Sequence, residues 1–412
     1  MENLHEGIDS STGGEHRAAF GLWTLPVIFL LKQVPRKTMG STVRKCAASW
    51  GPIGAMKSSL QQWRRAATLM VASRRGQGLP QGSSSSIISS CPGNQDYQVL
   101  LLQRSGHSHF MPGASVFPGG VLAEADRAPD WLEVIRPHHG PPFFGLGPVK
   151  QPRGAPIPDQ VAFRICAIRE TFEECGILLL RPQPPSGTVE SPPVWRLPQA
   201  FQPFLELAPW RAKIQKDPSQ FLQLCRHLDC APDIWALQEW SNWLTPFLKR
   251  EGKRFDTFFY VCCLEGRPQT FPDMQEVVSL QWLSPTEAIE KFTSKEIWLA
   301  PPQFYELARF CNFSSLSDLH RFSLDRALEG CERWMIITLS ASDGIIQLLP
   351  GDELYPENTI LEDNNLSTKK KIEEIMKDAK KMHRIVLYER HRYNIHITIQ
   401  AKYKHIHPQC KL

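Results

Sequence analysis

Arg169-Glu170-Thr171-Phe172-Glu173-Glu174-Cys175-Gly176-Ile177 places three carboxylates at i, i+3 and i+4 and stops at a glycine. At roughly 100° per residue, a helix carries Glu170, Glu173 and Glu174 on one face, and Val161, Ile165, Ile168, Phe172 and Cys175 on the opposite one. Like charges within one turn repel by roughly 0.2–0.5 kcal/mol per pair, so a purely structural helix gains nothing from crowding them. A hard divalent cation does gain: magnesium takes oxygen ligands and is commonly shared between protein carboxylates and substrate phosphates. The plain alternative is a solvated glutamate face, and the surrounding elements must decide between the two.

Residues 159 to 168 continue the same helix upstream, with Asp159 expected as its N-cap and Gly176 as the left-handed residue that ends it. Val99-Leu100-Leu101-Leu102 is a short apolar run of the buried-strand type. Gly119-Gly120 marks a turn where the backbone passes close to a neighbouring strand or a phosphate. The Pro- and Gly-rich stretches 121–158 and 181–203 read as loops at the rim of a pocket. Part of 221–248 reads as a helix with an aromatic face formed by Ile234, Trp235, Leu237, Trp240, Trp243 and Leu244. Arg254–Val261 and Glu276–Leu283 have strand composition, and Ser284-Pro285 starts a helix. Farther on, the spacing predicts a helix over 317–328, one hairpin around Ser342-Asp343-Gly344 and a second pairing 385–388 with 395–399. His391, His396, His405 and His407 lack metal-ligand spacing and are assigned to surface strands.

These residues resemble the Nudix hydrolases, whose signature runs Gly, five residues, Glu, seven residues, Arg-Glu, an aliphatic, any residue, Glu-Glu, any residue, Gly, aliphatic. Arg169–Ile177 matches the second half, with Thr171 in place of the aliphatic, and Asp126 stands after Gly120 where the signature has Glu. A long insertion separates Asp126 from Arg169. Leu100, Leu101, Arg104, Ser105, Gly113, Phe117, Pro118, Gly119 and Gly120 are similar in spacing to the extra motif of the coenzyme A diphosphatase branch. That resemblance extends from Trp63-Arg64-Arg65-Ala66-Ala67 to the C-terminus.

The resemblance implies an α/β fold, the Nudix α/β/α sandwich on a mixed sheet, with loop insertions and a C-terminal α+β extension. It implies Mg2+ or Mn2+ held by Glu170, Glu173 and Glu174, with Arg169 orienting them, and a substrate contacted by Arg104, Ser105, Gly113, Phe117, Gly119 and Gly120. Glu276 falls where relatives carry a further acid and is a candidate general base. The expected reaction is hydrolysis of coenzyme A or acyl-CoA to adenosine 3′,5′-bisphosphate and (acyl-)4′-phosphopantetheine. Open alternatives are another nucleoside diphosphate substrate, such as ADP-ribose or capped RNA, and a Nudix-like binding module without catalysis.

The chain has 412 residues, 42% of them hydrophobic, and a formal charge of +5. It is long enough for a large core, and the mild charge, concentrated between Lys369 and Lys411, does not call for DNA as a partner. Eleven cysteines without a C-x-x-C pair indicate reduced thiols rather than zinc or a disulfide framework. Cys175, Cys262 and Cys263 read as small buried hydrophobes. Ala18–Leu31 is too short to span a bilayer, which needs about 20 apolar residues. The domain plan is therefore a leader or alternative-start extension over 1–55, a linker over 56–94, the Nudix domain over 95–300 and an extension over 301–412. Cys410-Lys411-Leu412 approximates the Ser-Lys-Leu peroxisomal address, so a peroxisomal import receptor and a peroxisomal location are expected.

Overall fold

The computed structural model describes residues 63–75, 95–108, 110–135, 157–183, 197–201, 204–245, 254–327, 329–356 and 365–409. The expected leader, the Ser-rich stretch 76–93, most of the rim loops and Cys410-Lys411-Leu412 lie outside those residues.

Strand β1 (Trp63–Arg74) runs through the middle of the main sheet. This corrects the linker assigned to 56–94. The apolar run of β1 is buried on both faces. Leu69 and Val71 enter one core, Met70 and Ala72 the other, as the period of two along a strand demands. On one side β1 pairs in parallel with β8 (Arg254–Leu264) along nearly its whole length. On the other it pairs antiparallel with β4 (Gly119–Val121) and β2 (Tyr97–Arg104). β3 (Ser115–Val116) and β9 (Val277–Leu283) pair with β2, β7 (Gln238–Leu244) pairs with β8, and β5 (Leu180–Pro182) and β6 (Cys230–Pro232) form a separate antiparallel pair. The sheet is mixed, as expected.

Helix α1 (Asp159–Cys175) covers one face, joined by α2 (Phe204–Lys216) and α3 (Gln220–His227). The other face carries α4 (Pro285–Thr293), α5 (Pro301–Phe310) and α6 (Leu316–Arg326). The expected α/β/α sandwich is the observed one. Ser284 caps α4 in a reciprocal capping box with Glu287, and Pro285 occupies the first turn, as its sequence predicts. Asp159 is not a cap: it is the first helical residue after Pro158, and its carboxylate pairs with Arg65 at 2.7 Å and Arg127 at 3.3 Å.

Trp240 and Trp243 lie on strand β7, not on a helix. The register shifts between Glu239 and Ser241, making Trp240 the extra residue of a bulge. A bulge lets residues three apart face the same way, which imitates helical spacing. Both indoles donate to the buried Glu306 carboxylate, Trp240 Nε1 at 2.7 Å and Trp243 Nε1 at 2.8 Å. Ser241 Oγ at 2.7 Å and Arg309 Nη1 at 3.2 Å complete that network.

Beyond α6, β10 (Arg333–Met335) joins the main sheet beside β7, so the boundary placed at 300/301 is crossed by the first sheet and its helices. A second sheet follows, with β11 (Ile337–Ala341) and β12 (Gly344–Leu348) forming the hairpin expected at Ser342-Asp343-Gly344. β13 (Asn365–Ser367), β14 (His383–Glu389) and β15 (Arg392–Ile397) complete it, with the second expected hairpin between β14 and β15. Ile385, Tyr393 and Ile395 pack into the α4–α6 core, which leaves those helices between two sheets. His405 and His407 are not on surface strands: His405 Nε2 sits 3.0 Å from Trp240 O and 3.1 Å from Arg309 Nη1. Among the described residues no helix is long and apolar enough to cross a membrane.

Replacing Glu306 by Ala leaves Arg309 and three buried donors without their acceptor, and breaking such a buried ion pair costs about 3–5 kcal/mol. Urea unfolding of Glu306→Ala reads that loss as a lower midpoint; an unchanged midpoint contradicts the network's role.

Candidate active site

Helix α1 is buried almost all round because it lies between the sheet and α2. Its aliphatic signature position carries Thr171, fully buried, and that hydroxyl is satisfied by donating to Ala167 O at 2.7 Å. Gly176 ends the helix at φ +77, the left-handed conformation its sequence position predicts. Cys175 is also buried, and burial pushes its thiol up to about 12, so it is an inert packing residue. All eight described cysteines are free.

Arg169 organises the carboxylates. Its Nε and Nη2 each lie 2.8 Å from the two oxygens of Asp126, while Nη1 reaches Glu170 at 2.9 Å and Glu173 at 2.6 Å. Asp126 is 1% exposed and sits in a 3-10 turn over Glu124–Arg127, where its second role is to accept Ala123 N–H at 2.8 Å. Folding therefore brings Asp126 to Arg169 across the long insertion. Burial pulls the pKa of this guanidinium down, and the hydrogen bonds and charges of Asp126 and Glu170 outweigh that and raise it.

The two glycines of β4 lie directly over the helix. A Cβ at Gly119 would meet Ala67 O at 2.3 Å, and one at Gly120 would meet the Glu170 carboxyl carbon at 2.4 Å. The close approach expected at this turn is to both β1 and the carboxylate cluster. Gly119 N–H donates to Glu174 Oε2 at 2.8 Å. Glu170, Glu173, Glu174, Arg169, Gly119 and Gly120 thus form one site.

Of the other expected residues, Arg104 ends β2 with its Nη2 3.9 Å from Glu276 Oε2, and its charge reaches Glu174. Ser105 is a turn residue: its N–H donates to Glu276 O at 2.8 Å and its carbonyl accepts from Gly113 N–H at 3.4 Å. Gly113 takes φ +70 beside open space. Phe117 departs from expectation. Its ring is 3% exposed in the α4–α6 core against Phe259, just past the end of β3, whose last residue Val116 takes the α1 side. Glu276 precedes β9 and is well exposed, held by the Asp273 carboxylate, which accepts the amide protons of Gln275, Glu276 and Val277. Sequence reading missed Arg211 and Gln215 of α2, which both donate to Glu173 O at 2.9 Å; nothing in their spacing points to α1.

Burial pushes the Glu170 carboxyl up to about 7, against the opposing charge of Arg169 and with reinforcement from Glu173. Glu174 is raised well above the carboxylate range by burial and by the charge of Glu170, and Glu173 is raised by burial. The cluster sets three glutamate carboxyls beside one guanidinium that is itself forked on Asp126. Its donors are hard oxygens, the set a magnesium-like cation takes. Among the described residues no group of three or more His, Cys, Asp or Glu side chains is closed into a chelating arrangement, and Arg169 Nη1 lies between Glu170 and Glu173. The residues fit a divalent cation by charge and donor type.

A pH dependence follows. Native Glu170 keeps its proton to about pH 7 whereas an unfolded glutamate loses it near 4.5, so its ionisation works against the cation-free fold as pH rises through that window. A bound cation favours the ionised form. The gain in melting temperature on adding a divalent cation therefore grows as pH rises from about 4.5 through about 7, and Glu170→Gln reduces that rise. The neutral buried His383, pushed down to about 4, shifts stability the opposite way in both forms and cancels in the difference. A gain independent of pH contradicts this assignment.

Comparison with known proteins bears on the same residues. The NUDT19 Nudix domain model matches residues 63–310, and the NUDT19 C-terminal domain model matches 338–398. The first interval begins at β1 and contains the whole carboxylate site. The chain is 52% identical over 375 residues to the acyl-coenzyme A diphosphatase NUDT19 of Homo sapiens, covering 86% of this chain and 98% of that protein. It is 52% identical to the Gallus gallus protein of the same name, over 86% and 96% of the two chains. For the Xenopus laevis protein of that name the identity is 43%, over 86% and 97%. A family match across more than half the chain, joined to these near full-length identities, makes the chain a member of the NUDT19 family of Nudix hydrolases.

Proposed function

We propose that this chain hydrolyses the diphosphate of coenzyme A and acyl-CoA, giving adenosine 3′,5′-bisphosphate and 4′-phosphopantetheine or its acyl form. The observation that carries the reading is the buried Glu170-Glu173-Glu174 cluster set under Gly119-Gly120, in a chain half identical to proteins named acyl-coenzyme A diphosphatases. Nudix hydrolases use a divalent metal. Here Glu170, Glu173 and Glu174 would hold Mg2+ or Mn2+, whose bound charge stabilises phosphoryl oxygens and lowers the pKa of an attacking water.

The chain's own residues supply the rest. Arg169 fixes the carboxylates through the fork geometry that lysine lacks. Gly120 lets the backbone lie against the Glu170 carboxylate, since a Cβ there would meet its carboxyl carbon at 2.4 Å. Arg104 stands at the mouth with a guanidinium suited to a phosphate. Exposed Glu276, whose backbone N–H is held by Asp273, would take a proton from water. Water's oxygen joins one phosphorus, the bridging P–O bond breaks, and the second phosphate leaves with its electron pair.

Hydrolysis of free coenzyme A in Mg2+, with products identified by mass, tests the reading. Wild type releases adenosine 3′,5′-bisphosphate, and Glu174→Gln lowers kcat by at least about 100-fold while remaining folded, because a ligand loses its charge. Cleavage of ADP-ribose or capped RNA in place of coenzyme A overturns the substrate; cleavage of none overturns the enzyme reading in favour of a binding module.

We also propose a peroxisomal location, carried by Cys410-Lys411-Leu412 through an import receptor. Deleting those three residues from a fluorescent fusion with a free C-terminus leaves it cytosolic; continued peroxisomal signal rules the tripeptide out.

A further inference from the structure

We propose that Arg211 and Gln215 form a latch that holds the C-terminal end of α1 in the orientation the carboxylate cluster needs. They are thus positioning residues for the reaction proposed above, on which this inference rests. The last turn of a helix leaves carbonyls without intrahelical donors. In α1, Phe172 O accepts Gly176 N–H and Cys175 O accepts Phe271 N–H, each at 3.0 Å. Glu173 O accepts two side chains, Arg211 Nε and Gln215 Nε2, both at 2.9 Å.

Arg211 and Gln215 stand four residues apart, one turn of α2, so they leave the same face and converge on a single oxygen. That oxygen belongs to the peptide joining Glu173 to Glu174. One donor or a water would satisfy it; two anchors from a packed helix fix its position and direction. The peptide between two carboxylate-bearing residues sets where both side chains start, and groups that orient ligands from behind commonly matter about 10–100-fold in metal affinity or activity. Arg211 is 7% exposed, and its guanidinium also complements the negative end of the helix dipole. Gln215 is exposed and uncharged, so its contribution is the hydrogen bond alone.

Position and charge act in opposite directions here. Loss of the Arg211 charge by itself would tighten a divalent cation's hold on Glu173 and Glu174; loss of the latch loosens it. Calorimetric titration of the full chain with Mn2+ separates the two, comparing wild type, Arg211→Ala, Arg211→Lys and Gln215→Ala, with melting temperature and coenzyme A kinetics measured alongside. The latch predicts a dissociation constant for Mn2+ raised about tenfold in Arg211→Ala and by a smaller factor in Gln215→Ala. It also predicts partial rescue by Arg211→Lys, and kcat recovered at saturating Mn2+ with KM for coenzyme A unmoved. Unchanged or tightened Mn2+ binding in both alanine variants overturns it, as does a fall in kcat that Mn2+ does not restore. If Arg211→Ala fails to fold, Gln215→Ala alone decides. A wild type that cleaves coenzyme A yet binds Mn2+ just as its variants do sinks the latch only; a wild type that binds no Mn2+ sinks the metal reading with it.

Discussion

The buried fork between Arg169 and Asp126 is the interaction on which the site depends. One guanidinium, 2% exposed, ties the 3-10 turn after β4 to α1 and with its remaining nitrogen gathers Glu170 and Glu173. Removing one member of such a pair strands a charge in a poorly solvated place, at about 3–5 kcal/mol. Yet the fork serves more than stability. Without it Glu170 and Glu173 would share one helical turn beneath a glycine strand without the guanidinium that lies between them. Because Arg169 offers five donors in a plane, it can spend two on Asp126 and still organise the others, which an ammonium cannot.

Much of this was legible in the sequence, and the reasons are local. Glu170, Glu173 and Glu174 follow from helical period alone, Gly176 from the left-handed end it must adopt, and the Ser284-Pro285 start from capping chemistry. Gly119 and Gly120 announced a close approach, although only the fold reveals that one approaches β1 and the other Glu170. What stayed hidden was set by distant chain segments. Trp240 and Trp243 imitated a helix because a bulge restores same-face spacing at i and i+3. β1 passed for linker because it is a strand buried on both faces, with no alternation to betray it. Phe117 belongs to a motif of substrate-binding type, but its ring packs against Phe259 in the far core.

The C-terminal sheet completes the architecture without entering the carboxylate site. It packs on α4–α6 from the side opposite the main sheet, and the chain then returns along α5, where Gln409 N–H bonds to Ala308 O at 3.2 Å. A cavity of about 30 Å3 at this joint is lined by Trp240, Arg309, His383 and His405, none of which takes part in the carboxylate cluster. Its polar groups balance one another: Glu306 offsets Arg309, and burial keeps His405 neutral. The joint is an attachment between the two sheets, and the carboxylate cluster lies on the α1 side.

The most direct test of the central claim is where a divalent cation sits. Anomalous scattering at the manganese edge from crystals soaked in Mn2+ locates it without reference to activity. The account predicts a peak among the carboxylate oxygens of Glu170, Glu173 and Glu174, beside Gly120, with Arg169 keeping its fork on Asp126. A peak elsewhere with this cluster empty would contradict it.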